Sequence, residues 1–398
     1  MARAQETILK TSNVPKQVKL AHALAWAKAT YGKGRYRQLA EMAALTLGAQ
    51  KLEPKDYFIY GLFRPSISAG ERHSYVSMAS GEALNSRLSP RCNAGQHGLF
   101  FNKLLTGLTL EKAGFPVLEP LAVFSRQFRV PSVPMLTSSE EIANFLRRDG
   151  ILPCFGKALD GSLGIGGASF LSVSADGVMV TLGDGREVSI KALSEEIVLH
   201  FPRGYLFQPL IRQHPVVEAL NGPAVGMFRT VTLRTKDGIG LLYSALKMPA
   251  KGLMIDAAVG AASNAMALVD PATGAILRAQ DLSRLSTSVL ENSLATGASL
   301  AGAVLPHVRE AVKLSIAAHE AFPGHGILGF DIALAKDGPI LNEINSNPHH
   351  HVYQRAADRG LLNPEFLPRL KSAEEESRRI AEDVGGLPSQ RRPWGKRK

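Results

Sequence analysis

The sequence predicts an α+β protein, and three observations carry that prediction. Alternating or continuous apolar segments recur at 151–157, 168–171, 178–190, 204–213, 226–236 and 239–248, with Gly- and Asp-containing turns between several of them. Helical periodicity interrupts these strands at both ends of the chain and again near residue 306, and antiparallel hairpins are frequent. The 398 residues are 45% hydrophobic and 20% charged, enough for two or three compact units or one large multi-lobed enzyme.

Taken in order, residues 16–48 read as helical. Val18, Ala21, Leu24 and Ala25 recur at helical spacing, and Tyr36, Leu39, Ala40 and Ala43 continue the pattern past a Gly32–Gly34 break. Basic residues on the other faces give a packed extension with a solvated side. Residues 54–75 hold an aromatic-rich run, Asp56 to Phe63. Asn102-Lys103 precedes a helix, and Thr137-Ser-Ser-Glu-Glu141 opens another, with Ser138 as cap and Glu141 as its capping-box partner. A strand ending at Lys157, a glycine loop (Gly161, Ser162, Gly164, Gly166, Gly167) and a further strand follow. Residues 293–306, uncharged and rich in Gly, Ala and Ser, suit a buried helix or loop. A helix with Pro306 at its first position runs to about Ala321. Residues 363–383 form a charged helix.

The net charge of +11 invites nucleic acid, anionic membrane or anionic small-molecule partners. The basic residues are spread along the chain, however, and the cluster Arg391, Arg392, Lys396, Arg397 and Lys398 sits in a terminal tail. There is no zinc-finger spacing or aromatic-basic RNA-binding signature, so nucleic acid ranks last. The 2 cysteines, Cys92 and Cys154, form no disulfide framework or metal motif. No segment is a membrane span or secretory leader, and a cytosolic (cytoplasmic) protein is expected.

Several segments can carry chemistry. Glycines at 161–167 let backbone N–H groups approach a phosphate, and Lys157 adds a point charge. The loop lacks the closing Gly-Lys-Ser/Thr of a P-loop, and taken alone it reads better as a common Gly-rich hairpin turn. Phe207-Gln208-Pro-Leu210-Ile211 could offer backbone groups to a flat purine or could be a core strand. Arg229 and Arg234 flank an alternating strand. Lys247 and Asp256 lie on or after the next one. His349, His350 and His351 are consecutive, do not share a face, and read as a polar loop.

The richest segment is Gly329-Phe-Asp331 through Leu341-Asn-Glu343-Ile-Asn345-Ser-Asn-Pro348, a β-hairpin. Glu343 and Asn345 share a face because side chains alternate. Asp331 joins them if the turn is a three-residue loop, Lys336-Asp337-Gly338, with Gly338 left-handed in a bulge. A two-residue loop would send Asp331 to the opposite face. The three-residue loop is the expectation, since it gathers hard oxygen ligands of the type Mg²⁺ takes. The competing reading is an ordinary hairpin with solvated acids.

In chain order these pieces resemble the ATP-grasp superfamily, and within it the sugar-transfer-associated group, related to α-glutamate-ligase-like proteins. Asn102-Lys103, Lys157 with the glycine loop, Gln208-Pro-Leu-Ile, the Arg229-Thr-Val-Thr strand, Lys247 to Asp256, and the hairpin through Pro348 carry the resemblance over roughly residues 55–355. It implies two α+β lobes enclosing ATP, after a helical N-terminal extension (1–53) and a pre-grasp region (54–150). The lobe with the glycine loop is 151–213, the lobe with the metal-binding hairpin 214–360, and a C-terminal helix with a basic tail closes the chain (361–398). Lys103 and Lys157 would contact nucleotide phosphates or the adenine edge, and the glycine loop would close over the β- and γ-phosphates. Lys247 would also face the nucleotide, Gln208, Leu210 and Ile211 would hold the adenine, and Glu218 would reach the ribose. Asp331, Glu343 and Asn345 would hold Mg²⁺, with Arg229 and Lys157 catalytic.

Two departures stand out. Gly329 occupies a place where peptide-forming relatives often put an arginine, which Arg229 would replace. Ala257, Ala261 and Ala262 stand after Asp256 where asparagine and a glycine pair are common. The implied activity is an ATP- and Mg²⁺-dependent ligase that joins a small-molecule or sugar-linked acid to an amine acceptor in polysaccharide or sugar-conjugate biosynthesis. A phosphotransferase on a hydroxyl and a non-catalytic nucleotide-binding module are the alternatives.

Overall fold

Two antiparallel-rich sheets face each other across a cleft, and helices cover their outer sides. The computed structural model describes residues 7–9, 19–89, 94–160, 164–256, 264–282 and 289–383. Gly161, Ser162, the residues after Asp256 and the basic tail therefore lie outside the described residues.

The first sheet contains β1 (Ala122–Phe124), β2 (Met135–Leu136), β3 (Cys154–Ala158), β4 (Ala168–Val173), β5 (Met179–Leu182), β6 (Glu187–Ser189) and β7 (Tyr205–Pro209), in the order β2-β1-β7-β3-β4-β5-β6. β1 and β2 come from the segment before residue 150, and β1 pairs directly with β7. The second contains β8 (Met227–Thr235), β9 (Gly238–Met248), β10 (Ala265–Val269), β11 (Ile276–Asp281), β12 (Ile327–Ala335) and β13 (Gly338–Asn345), in the order β11-β10-β9-β8-β12-β13. β10 and β11 extend this sheet beyond the strands expected from sequence. No helix among the described residues is long and apolar enough to cross a membrane.

Each sheet has its own core. Phe124, Phe145, Phe170, Phe207 and Tyr205 fill the first, and Phe228, Leu246, Leu328, Phe330 and Ile332 fill the second. The chain passes between them at 210–214. There Gln213 is buried and fully used: its Nε2 donates to the Gly222 and Ala224 carbonyls (3.0 and 3.1 Å), and its Oε1 accepts from Asn221 Nδ2 and the Gly226 N–H (3.0 and 3.1 Å). An amide with both donors and both acceptors satisfied holds the crossover in one conformation.

Three local expectations are corrected. Pro306 lies two residues before the helix Val308–Glu320, whose cap is His307, so it is not the first helical residue. Ser138 caps the helix Ser139–Leu146, but Glu141 bonds Thr137 and not Ser138. In the helix Arg35–Leu47 the buried side is Gln38, Met42 and Leu45, while Tyr36 and Leu39 are exposed. Gln38 wins the inner face because its Nε2 donates to the carbonyls of Leu24 and Lys33 (3.2 and 2.8 Å).

The helix Met78–Leu88 and the C-terminal helix Phe366–Asp383 lock onto the start of β12 at Gly326. Ser89 Oγ accepts from the Gly326 N–H at 3.1 Å, and Ser377 Oγ donates to the Leu88 carbonyl. A Cβ at Gly326 would collide with that carbonyl and with Ser377 Oγ. Gly326→Ala should therefore destabilise by about 1–3 kcal/mol through overpacking. Chemical denaturation measures it, and an unchanged midpoint would contradict this three-way junction.

Candidate nucleotide-binding cleft and its charge cluster

The hairpin β12–β13 places its polar residues by a route other than the one expected. Ala335 pairs with Gly338, so the loop has two residues, Lys336-Asp337, with Gly338 at φ +139°. The register then shifts by one between Asp331 and Ile332: Ile332 faces Leu341, whereas Asp331 faces Glu343. Asn342 is the extra residue. The odd residue that aligns Asp331 with Glu343 is thus a bulge within β13 and not a third loop residue. Because directly opposed residues share a face, Asp331, Glu343 and Asn345 all look into the cleft. Asn342 joins them, and this was missed from sequence. Its signal was the spacing of Leu341 and Ile344: both are buried, three residues apart, which a regular two-residue alternation does not allow.

Asp331 is the centre of a buried charge cluster. It lies directly opposite Arg229 on β8. Arg229 donates from Nε and Nη2 to the two carboxylate oxygens, both at 2.7 Å. Lys247 Nζ, from β9, stands 3.2 Å from Asp331 and 3.0 Å from Asp256. All of these side chains except that of Asp256 are under one-tenth exposed. Burial pushes the Asp331 carboxyl up, but Arg229 and Lys247 outweigh it and hold the group well below the usual carboxylate range. Burial lowers Lys247, but Asp256 and Asp331 overcome this and raise it. Burial dominates at Asp256 and raises its pKa against the pull of Lys247.

Arg229 Nη1 is left over Gly329. A Cβ at Gly329 would stand 3.6 Å from that nitrogen and 2.8 Å from Pro348 Cβ. The guanidinium of a neighbouring strand thus fills the space above a position that has no room for a side chain of its own.

Across the cleft, Lys157 on β3 donates to Asn342 Oδ1 at 3.1 Å, a contact between the two sheets. Burial lowers its pKa to about 8, with Lys103 acting in the same direction against Glu343 and Asp331. A cavity of about 550 Å³ lies between the sheets. Lys103, Lys157, Gly164, Gly167, Gln208, Leu210, Ile211, Arg229, Lys247, Asp331, Glu343 and Asn345 all line it. Phe155, Met227, Met254 and Ile255 give it apolar walls that sequence reasoning did not single out.

Gly166 sits just behind the wall, with φ +78°; its carbonyl accepts from Tyr205 Oη at 2.7 Å, and a Cβ there would strike the Phe201 ring. Glu218 is not brought to the cleft: it is exposed on the helix Pro215–Asn221. Of the three histidines, His349 and His351 line the cavity, while His350 is buried between Tyr243 Oη (3.1 Å) and Asn85 Oδ1 (2.8 Å).

The donor set fits a hard cation only in part. No three His, Cys, Asp or Glu side chains among the described residues converge as a metal centre. Both Asp331 oxygens are engaged by Arg229 and Lys247. Glu343 and Asn345 remain as oxygen donors, and Asn345 Nδ2 is buried without a hydrogen-bond partner. That unpartnered amide nitrogen marks the spot where a hydrogen-bond acceptor belongs. Two protein oxygens with phosphate completing the shell is the pattern typical of Mg²⁺ on a nucleotide.

Two α+β lobes that close a lysine-bearing strand and a glycine turn over an acidic hairpin define the ATP-grasp fold. The chain belongs to the sugar-transfer associated ATP-grasp family, whose model matches residues 83–371. Among solved structures, the D-alanine-D-alanine ligase of Coxiella burnetii shares 14% identity, over 72% of this chain and 60% of that one, at a TM-score of 0.39. D-alanyl-alanine synthetase A of Vibrio cholerae shares 13% over 70% and 66%, at 0.35. The biotin carboxylase of Campylobacter jejuni shares 12% over 70% and 48%, at 0.37. The chain thus spans less than two thirds of the first of these. No curated protein sequence matches it.

Replacing Asp331 with Asn would leave the buried Arg229 without its carboxylate and Lys247 with Asp256 alone, and unfolding should become easier by about 3–5 kcal/mol. The pH dependence follows from sign. A carboxyl whose folded pKa is depressed contributes stability that is present above its unfolded value of about 4 and is lost as pH falls toward the lower folded value. The wild type should lose this contribution on acidification below about pH 4, and Asp331→Asn should lack that part of the slope. Urea titrations at a series of pH values measure it, and parallel curves would refute the cluster's role.

Proposed function

We propose that this protein is an ATP-dependent ligase that activates a carboxylate as an acylphosphate and passes the acyl group to an amine. The observation that carries the reading is the cross-cleft arrangement of Lys157, Arg229 and Lys247 around the face bearing Glu343 and Asn345. The carboxylates Asp331 and Asp256 hold Arg229 and Lys247 in fixed positions beside the place where a polyphosphate would lie, so these cations are oriented before substrate arrives. Such preorganised charge is what phosphoryl transfer requires.

In this reading the adenine lies between Phe155 and Met227, beside the crossover at Leu210 and Ile211. Lys103 and Lys157 bind phosphate oxygens. An anion in the cleft would favour the protonated form of Lys157, whose pKa of about 8 leaves it partly neutral at mildly alkaline pH. Glu343 and Asn345 would hold Mg²⁺, which when bound neutralises phosphate charge and orients the γ-phosphoryl group. Arg229, fixed at Nε and Nη2 by Asp331, presents Nη1 to the transferring group.

The acid's carboxylate oxygen attacks the γ-phosphorus, and the bond to the β,γ-bridging oxygen breaks to release ADP. The amine nitrogen then attacks the acyl carbon, the carbon–oxygen bond to phosphate breaks, and phosphate leaves as the nitrogen gives up its proton. No protein nucleophile is needed. The family's link to sugar transfer favours a sugar-linked acid or amine as substrate and a cytosolic place of action, where ATP is supplied.

The test is ADP release across a panel of acid–amine pairs, with hydroxylamine as a surrogate amine that yields a hydroxamate from any acylphosphate. A productive acid should give ADP, phosphate and hydroxamate in equal amounts. Glu343→Gln should lower turnover by at least about 100-fold with an unchanged melting temperature. Full activity in that variant would remove Glu343 from the site, and a stable phosphorylated alcohol with no free phosphate would assign a phosphotransferase instead.

A further inference from the structure

The helix Arg35–Leu47 carries a second apolar face that none of the described residues covers. Tyr36 is 90% exposed and Leu47 87%, with Leu39 at 44%. Ala40 and Ala43 lie between them and are also exposed. At about 100° per residue these five side chains fall within an arc of about 100°. The buried side, Gln38, Met42 and Leu45, is centred roughly 145° away on the same wheel. The outward stripe is therefore a separate feature and not the fringe of the core.

The exposed charges of the helix itself have one sign. Arg35 and Arg37 are exposed and flank the stripe on its two sides, each about 100° from Tyr36. Lys19, Lys28 and Lys51 are exposed on the same helical extension, against one exposed acid, Glu53. Glu41 is the sole acid in the helix, and its charge is used inward: it accepts from Lys33 at 2.7 Å and from Tyr57 Oη at 2.6 Å, and it pairs with Arg72 at 3.4 Å. Arg37 also reaches Glu41, at 3.4 Å, with its side chain still 75% exposed. The outer face thus presents apolar side chains, a tyrosine and a rim of cations.

We propose that this face docks the protein on an anionic lipid bilayer. Leu39 and Leu47 would enter the boundary between headgroups and acyl chains. Tyr36 would lie at headgroup level, where amphipathic rings are favoured. The arginines would extend to lipid phosphates on either side. Charge complementarity selects this occupant. A second copy of the same face would set cation against cation, whereas an anionic surface satisfies the whole rim. The helix lies outside the residues matched by the family model, so docking is a property of this chain's extension and is independent of the activity proposed for the cleft.

The test is sedimentation of the full chain with vesicles of phosphatidylcholine alone or mixed with phosphatidylglycerol. Binding should require phosphatidylglycerol and fall several-fold when salt is raised from about 0.1 M to about 0.5 M. The double variant Tyr36→Ser/Leu47→Ser should bind at least about tenfold more weakly, as should Arg35→Glu/Arg37→Glu. The first should melt as the wild type does, since its replaced side chains are solvent-facing, and the second close to it, since it loses only the exposed Arg37–Glu41 pair. Wild type that stays in the supernatant, or variants that sediment equally well, would overturn the proposal. So would a wild-type dimer in solution that the Tyr36→Ser/Leu47→Ser variant splits, because the stripe would then belong to a second copy.

Discussion

The structure depends on the bidentate pair between Arg229 and Asp331. Both groups are buried, and an isolated charge in that environment would be untenable. The pair forms because β8 and β12 are neighbours in a register that sets the two residues directly opposite each other. A slip of one residue would turn one partner to the far side of the sheet and leave the other alone. Lys247, one strand further on, is held in the same way by Asp331 and Asp256. Three adjacent strands are thus bound to one alignment by charge, and the cations are oriented as a consequence.

That alignment gives the cleft its chemistry. The bulge at Asn342 adds one polar residue to the cleft wall while leaving Leu341 and Ile344 in the core. Asn342 takes the hydrogen bond from Lys157, which belongs to the opposite sheet. Gln213 fixes the crossover between sheets, and Tyr205 fixes the glycine turn through the Gly166 carbonyl. The polar face of the hairpin therefore meets lysine, glycine backbone and apolar walls at a separation that rigid elements set. Gly329 completes the arrangement by giving up its side chain so that Arg229 and Pro348 can close over it.

Much of this was legible in the sequence, and the parts that were not have physical reasons. The order of lysine, glycine loop, crossover, arginine strand and acidic hairpin is local information, and it pointed to the family. The partnership of Asp331 with Arg229 spans 102 positions and depends on strand order, which spacing does not report. The bulge was read as a longer turn because Asp-Gly chemistry suits several loops; the spacing of Leu341 and Ile344 held the answer. The face of the helix Arg35–Leu47 was inverted because periodicity marks an apolar stripe without saying what covers it. Gln38 was an unlikely inward residue until its two carbonyl partners were seen. Glu218 fell outside the cleft because the helix that carries it turns it to solvent.

The central claim is that the bulged hairpin is a platform for the phosphates of a nucleotide. The most direct measurement is an anomalous difference map from a crystal grown with ADP and Mn²⁺. A manganese peak is expected against Glu343 and Asn345, with the diphosphate turned toward Lys157 and the adenine beside Leu210 and Ile211. Nucleotide bound outside the cleft, or manganese bound without either Glu343 or Asn345, would contradict it.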